Sequence, residues 1–168
     1  GKPIAPFTDE DPSLGMDDGY EIQRELMTLI LAEGDTVIGH KVGVTSLPMQ
    51  RMLGVDSPDH GPVLSSTVYR DGDTVPLSRF IAPKIEAEIV FVLGAPLRGP
   101  DVTVEQARAA ISGAYAGLEI VDSRIEDWRI KLADTVADLA SNGAMALADE
   151  VVPFGALPDP RLVGMVLT

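Results

Sequence analysis

The sequence predicts an α+β domain built on a mixed β core. Three observations carry this. Short apolar or alternating runs, bounded by Gly, Pro and Asp, recur along the chain and read as strands. Only a few segments repeat their apolar residues at helical spacing. The length of 168 residues, 45% of them hydrophobic, suits one domain with a real core.

The elements follow in order. Residues 1–16, rich in Pro, Asp and Gly, read as an extended arm. A helix is expected over Asp17–Glu33, with Ile22, Leu26, Leu29 and Ile30 on one face and Gly34 placed to end it. Thr36–Thr45 reads as a strand with close-approach glycines at 39 and 43. Ser46–Leu53 reads as a short helix closed by Gly54, and Val55–Pro62 as a shaped loop. Val63–Tyr69 is strand-like and is followed by a turn at Asp71-Gly72-Asp73. Ile85–Leu93 is apolar enough to predict a central, buried strand. A helix over Thr103–Ser112 follows, with Thr103 and Gln106 at capping-box spacing. Tyr115–Val121 reads as a strand, Ile125–Ala140 as a helix with breaks, and Gly143–Leu147 as a further strand. A last strand is expected from Leu162 onward. Gly1 in place of Met, and an apolar run that reaches Thr168, suggest a chain that continues at both ends.

Composition removes several function classes. Thirteen Lys and Arg against 26 Asp and Glu give a net charge of −13. That opposes binding to nucleic acid or to anionic lipid. Cysteine is absent, so thiolate chemistry is excluded, and the two histidines, His40 and His60, exclude a histidine-rich metal site. No segment approaches a membrane span. These features predict a soluble, cytoplasmic protein. There is no P-loop, no dinucleotide fingerprint and no convincing Ser-His-Asp order.

Four segments carry candidate chemistry. In Lys84-Ile85-Glu86-Ala87-Glu88-Ile89, strand alternation puts Glu86 and Glu88 on one face. Two buried carboxylates need a positive partner, and a divalent cation would serve. Spacing alone favours the plainer arrangement, an exposed pair facing water or a lysine. Leu118-Glu119-Ile120-Val121 sets one Glu in an apolar strand. It is either a third oxygen ligand, suiting Mg²⁺ or Mn²⁺, or half of an ion pair with Arg124. Lys41, between Gly39 and Gly43, reads on its own as a snorkelling surface lysine, or as a buried group that anchors a carboxylate. In Asp134-Thr135-Val136-Ala137-Asp138-Leu139-Ala140-Ser141-Asn142-Gly143, the polar residues are either helix caps or a pocket lining.

Taken in order, these segments resemble the 2-hydroxypentadienoate hydratase and 4-oxalocrotonate decarboxylase family of the fumarylacetoacetate hydrolase-like superfamily. The resemblance runs from about Tyr20 to Gly143. It rests on Gly39–Ser46, Leu53–Gly61, Ile85–Ile89, Leu118–Trp128 and Asp134–Ser141. It implies a fumarylacetoacetase-like mixed sheet or β-roll with flanking helices: an arm and helix over 1–34 and an incomplete catalytic domain over 35–168. It also implies Mg²⁺ or Mn²⁺ held by Glu86, Glu88 and Glu119, with Lys41, Asp59 and Ser141 as catalytic or substrate-positioning groups.

The implied activity is hydration of a 2-hydroxyalka-2,4-dienoate in aromatic meta-cleavage catabolism. Alternatives are decarboxylation of a 4-oxalocrotonate-type 2-oxo-3-enedioate, an inactive assembly partner, and acylpyruvate hydrolysis with His60 as base. Gly39–Gly43 and the Asp127-Trp128 pair with Asp134-Thr135 are closer to the hydratases. The implied partners are a small anionic 2-oxo or 2-hydroxy acid, further copies of the chain, and a related decarboxylase or aldolase. One residue departs from the pattern: Leu139 stands where similar proteins have Asn. Because the chain and the implied substrate are both anionic, capture must rely on local positive charge, the metal and Lys41.

Overall fold

The computed structural model describes residues 1–166. They build a two-stranded sheet and a five-stranded mixed sheet, flanked by helices. The small sheet pairs β1 (Val37–Gly43) antiparallel with β2 (Asp59–Leu64). The larger has the order β3 (Val68–Arg70), β6 (Asn142–Leu147), β5 (Ile111–Val121), β4 (Lys84–Leu93). There β3 runs parallel to β6 and the other pairs are antiparallel. The short β7 (Val152–Pro153) pairs with the start of β5, opposite Gly113 and Ala114.

This placement corrects the expectation for Ile85–Leu93. Among the described residues β4 is an edge strand, and Ile85, Phe91 and Leu93 are about half exposed. The central strand is β5, longer than expected because it begins at Ile111. A run that is apolar on both faces has the same composition in either position, so sequence alone cannot separate them.

The 55–62 segment also differs. Asp59–Leu64 is a strand, tolerating Pro62 because β2 has a neighbour on one side only. The expected Val63–Tyr69 strand is divided by a 3₁₀ turn at Ser65–Thr67, where the Asp35 carboxylate accepts from the hydroxyls of Ser65 (2.7 Å) and Ser66 (2.6 Å). Leu162 lies in a 3₁₀ turn, Pro160–Leu162, and residues 163–166 form no strand. The rest of the expected terminal strand, 167–168, lies outside the described residues.

Of the helices, α1 (Phe7–Glu10) lies within the arm, and α2 (Met16–Ala32) agrees with its expected span. Its inward face is only partly the expected one: Ile22, Leu26 and Ile30 are half-buried, but Leu29 is 66% exposed, and the buried positions are Gly19 and Gln23. Gly19 lets α2 approach α5 (Leu132–Ala137) closely, since a Cβ there would stand 2.7 Å from the Ala133 carbonyl oxygen. Gln23 then donates to the carbonyls of Val136 (2.8 Å) and His60 (3.3 Å), tying α2 to α5 and β2 at once. The helices α3 (Leu47–Leu53), capped by Ser46 and closed by Gly54 at φ +70°, and α4 (Val104–Ala110), with its Thr103/Gln106 capping box, form as the sequence predicts.

The arm is not free. Ile4 bridges to Ile125, and Thr8 donates its backbone N–H (3.0 Å) and hydroxyl (2.7 Å) to the fully buried Asp134 carboxylate. The 125–140 segment is broken into a 3₁₀ turn (Glu126–Trp128), α5, and a turn at Leu139–Ser141. Asp138 closes the loop between them by accepting from the Ser123 hydroxyl and from the backbone and guanidinium of Arg124. The core gathers here: Ile125, Ala133, Val136, Ala137, Leu139 and Ala140 are all buried. Among the described residues, no helix is long and apolar enough to cross a membrane.

Candidate active site

The site is written in the registers of two antiparallel ladders. Across β4 and β5, Glu86 faces Glu119, Glu88 faces Gly117, and Val90 faces Tyr115. Across β5 and β6, Glu119 faces Met145 and Gly117 faces Leu147. Residues directly opposite, and those two apart along a strand, share a face. That face therefore runs from a carboxylate end (Glu86, Glu88, Glu119) to an apolar end (Val90, Tyr115, Leu147). Gly117 keeps the middle low, because a Cβ there would meet Val90 Cγ2 at 2.7 Å.

The three carboxylates converge. One oxygen from each of Glu86, Glu88 and Glu119 lies within 4.8 Å of the other two. Oxygens bound to one ion at about 2.0–2.6 Å stand at most about 4–5 Å apart, so the set fits a single divalent cation. Glu86 is exposed, Glu88 half-buried and Glu119 3% exposed. Burial pushes the Glu119 carboxyl above the usual range, against the pull of Lys41. Burial, and then the neighbouring Glu86, do the same to Glu88.

Lys41 comes from the other sheet, and of its two sequence readings the surface lysine gives way to the buried group beside a carboxylate. It does not snorkel: its side chain is 9% exposed, with Nζ donating to the Ala140 carbonyl at 2.9 Å and lying 3.1 Å from Glu119 Oε1. The second contact is an ion pair without hydrogen-bond alignment, so Glu119 Oε1 keeps unused acceptor capacity. Arg124, the partner expected for Glu119, instead holds Asp138. Three carboxylates and one ammonium sum to a charge of −2, which one divalent ion would balance.

Across β1 and β2, each charged residue faces a glycine: Lys41 opposite Gly61, and Gly43 opposite Asp59. A Cβ on Gly43 would stand 2.2 Å from Asp59 Oδ1. Asp59 is 4% exposed, its Oδ1 has no hydrogen-bond partner, and burial raises its carboxyl against the pull of Lys41. Ser141 is also buried, its hydroxyl 3.0 Å from that of Thr135. An open cavity of about 890 Å³ is lined by Lys41, Glu88 and Glu119 and by apolar residues including Val90, Tyr115 and Leu147. Asp59 and Ser141 do not line it.

Sequence reasoning missed Gly61, the Ala140 carbonyl, Thr135 as partner of Ser141, and Gly117. The glycines were visible, but their meaning depends on register.

The family described as fumarylacetoacetate (FAA) hydrolase C-terminal matches residues 41–168. The chain belongs to the fumarylacetoacetate hydrolase family. Within it, the relatives fall in the branch of 2-hydroxypentadienoate hydratases and 4-oxalocrotonate decarboxylases. The chain is similar to a 2-keto-4-pentenoate hydratase of Paraburkholderia xenovorans (strain LB400), 44% identical over all 168 residues and 62% of the relative's length. It is also similar to a 2-hydroxypent-2,4-dienoate hydratase of Pseudomonas putida, 42% identical over 97% of this chain and 71% of that one. The fold of this family member matches 4-oxalocrotonate decarboxylase from Pseudomonas putida G7. The form complexed with magnesium and adipate gives a TM-score of 0.89 at 31% identity, over 93% of this chain and 59% of that one. The form complexed with calcium and acetate gives 0.86 at 32%, with the same coverage. The chain thus spans a little under two thirds of several of these relatives, and the match shows a fumarylacetoacetase-like α+β fold, in a neighbour complexed with a divalent metal.

Proposed function

We propose that the protein is a metal-dependent hydro-lyase that adds water to a 2-hydroxyalka-2,4-dienoate, through its 2-oxo-3-enoate tautomer, to give a 4-hydroxy-2-oxo acid. The carrying observation is the convergence of Glu86, Glu88 and Glu119 around a buried Lys41. The hydratase names of the relatives, and the acid–metal complexes of the structural neighbour, support the same reading.

Glu86, Glu88 and Glu119 would hold Mg²⁺ or Mn²⁺. When bound, the ion supplies Lewis acidity to the substrate's carboxylate and 2-oxygen as enolate charge develops. The residues of the chain do the rest. Lys41 offers a fixed ammonium for an anionic substrate and a proton at Nζ. Asp59, whose carboxyl is raised by burial, is a candidate to hold or accept a proton. Lys41 and Asp59 are our candidates for protonating C5 and for activating the water that adds at C4. Ser141, behind the cavity wall, steadies the 139–141 turn through Thr135. The apolar wall at Val90, Tyr115 and Leu147 excludes water beside the substrate's tail.

The test is loss of the ultraviolet absorbance of 2-hydroxypenta-2,4-dienoate on mixing with the Mg²⁺- or Mn²⁺-loaded protein. Folded, metal-loaded protein that leaves the absorbance unchanged would sink the proposal. The fold match favours one second reading, decarboxylation, for which release of carbon dioxide from 2-oxohex-3-enedioate is the discriminating result. We further infer a cytoplasmic homo-oligomer, able to associate with a related decarboxylase or aldolase. Sedimentation with and without such a partner tests this.

A further inference from the structure

We propose that Gly61 and the turn at Leu139–Ser141 form one positioning device for the Lys41 ammonium. The proposal rests on the catalytic reading of Lys41 above, but its geometry is independent of the reaction.

Leu139, Ala140 and Ser141 have φ values of +57°, +53° and +56°, a complete left-handed turn made without glycine. Each such residue costs roughly 1–2 kcal/mol in a helical setting, so the surroundings must hold the turn in place. Three contacts do so. Ser141 N–H donates to the Asp138 carbonyl at 2.9 Å, the Ser141 hydroxyl meets that of Thr135, and the Asn142 amide donates to the Pro62 carbonyl at 2.6 Å. The last contact fastens the end of the turn to β2, one residue beyond Gly61.

Gly61 lies opposite Lys41 in the ladder, so a side chain there would project from the same face as Lys41. Instead, the turn occupies that space. A Cβ on Gly61 would stand 2.1 Å from the Leu139 carbonyl oxygen, 2.7 Å from its carbon, and 3.1 Å from Ala140 Cβ. Two of these are backbone atoms, which cannot step aside as a flexible side chain would. The next carbonyl along, that of Ala140, accepts from Lys41 Nζ at 2.9 Å. The missing side chain at 61 therefore sets how closely the turn approaches β1–β2, and that approach puts the Ala140 oxygen within reach of Lys41. Gly61 and Asn142 act through Lys41 and are positioning residues.

The first test does not need activity. Acetic anhydride labelling of the whole protein, read by mass spectrometry, compares Lys41 with Lys2, Lys84 and Lys131 as internal standards. In Gly61→Ala, Lys41 should label about two- to tenfold faster, the factor one net hydrogen bond is worth, with the standards unchanged. A folded Gly61→Ala with wild-type Lys41 labelling overturns the proposal. If Gly61→Ala does not fold, Asn142→Ala, which loosens the same seat without overpacking it, is read by the same rule. The second test is a double-mutant cycle on dienoate hydration. Gly61→Ala should lower kcat more than it changes KM, and should cost almost nothing further in a Lys41→Met background. Additive losses overturn the proposal. If the wild type leaves the dienoate unchanged, the hydratase reading fails, and the labelling result still decides this one.

Discussion

Lys41 sits between a carboxylate and a carbonyl, and each contact explains part of its behaviour. With its side chain 9% exposed it has lost most of its water, and Glu119, 3% exposed, has lost nearly all. Removing one member of such a buried pair leaves the other charge uncompensated, at a cost of about 3–5 kcal/mol. Lys41→Met should therefore destabilise the metal-free protein by about that amount in urea unfolding with chelator present. Adding Glu119→Gln should recover most of the loss. If the double variant were as unstable as the sum of the singles, the two groups would not be a pair. Divalent ion should also recover part of the Lys41→Met loss, because it supplies the missing positive charge. The same ion should give Glu119→Gln little added stability in a thermal melt.

Among the elements, the arm and α5 are the pair whose coupling composition did not suggest. Residues 1–16 read as an extended arm, and Thr8 gives two hydrogen bonds to Asp134, which also accepts from Lys131 N–H at 2.9 Å. One carboxylate thus caps α5 and anchors the arm. Thr8→Val keeps the backbone bond and removes the hydroxyl, so it should cost about 1–2 kcal/mol. The amides of residues 4–9 should then exchange faster, while those of β5 stay protected. Uniform faster exchange would mean that the arm is no separate unit. The strand pairs were legible where side-chain alternation suffices: Glu86 and Glu88 share a face because they are two apart. Pairing between strands was not. Nothing local announces that Glu119 lies opposite Glu86, that Gly61 lies opposite Lys41, or that β4 is at an edge. The 139–141 turn was invisible for a related reason, since no glycine or asparagine marks its positive φ values. At Leu139 the backbone has a φ of +57°, in the region that Asn enters more readily than Leu.

For the whole molecule, the acidic site sets the response to pH. Asp59, Glu88 and Glu119 all have folded-state values raised by burial. A carboxyl raised on folding holds more protons in the native than in the unfolded state between its ordinary and its raised value. Its unfavourable contribution therefore appears as pH rises through that interval, and the contribution of these three groups to the metal-free protein should become less unfavourable as pH falls back toward the ordinary carboxylate range. Metal binding needs the ionised forms, so the stabilisation by Mg²⁺ should grow in the opposite direction. Melting temperatures between about pH 5 and pH 7.5, with chelator or with Mg²⁺, should diverge as pH rises. The wild-type trend in chelator should be steeper than that of Glu119→Gln, which isolates this carboxyl from the other titrating groups. Parallel curves would show that the cluster does not govern the response.

The pairing of charge with glycine across β1 and β2 has one more consequence. Because the side-chain period of a strand is two, slipping this ribbon by a single residue would turn Lys41 and Asp59 outward and bring His40 and Val42 inward. The two vacancies, one filled by the Asp59 carboxylate and the other by the 139–141 turn, act as a reading frame that tolerates no shift. The 44–58 connection sits outside that frame, with Leu47, Met49 and Met52 exposed. Lengthening or shortening it should leave the chemistry in phase, so variation in length can gather there while the eleven residues of the two strands that carry the frame, 39–43 and 59–64, keep theirs.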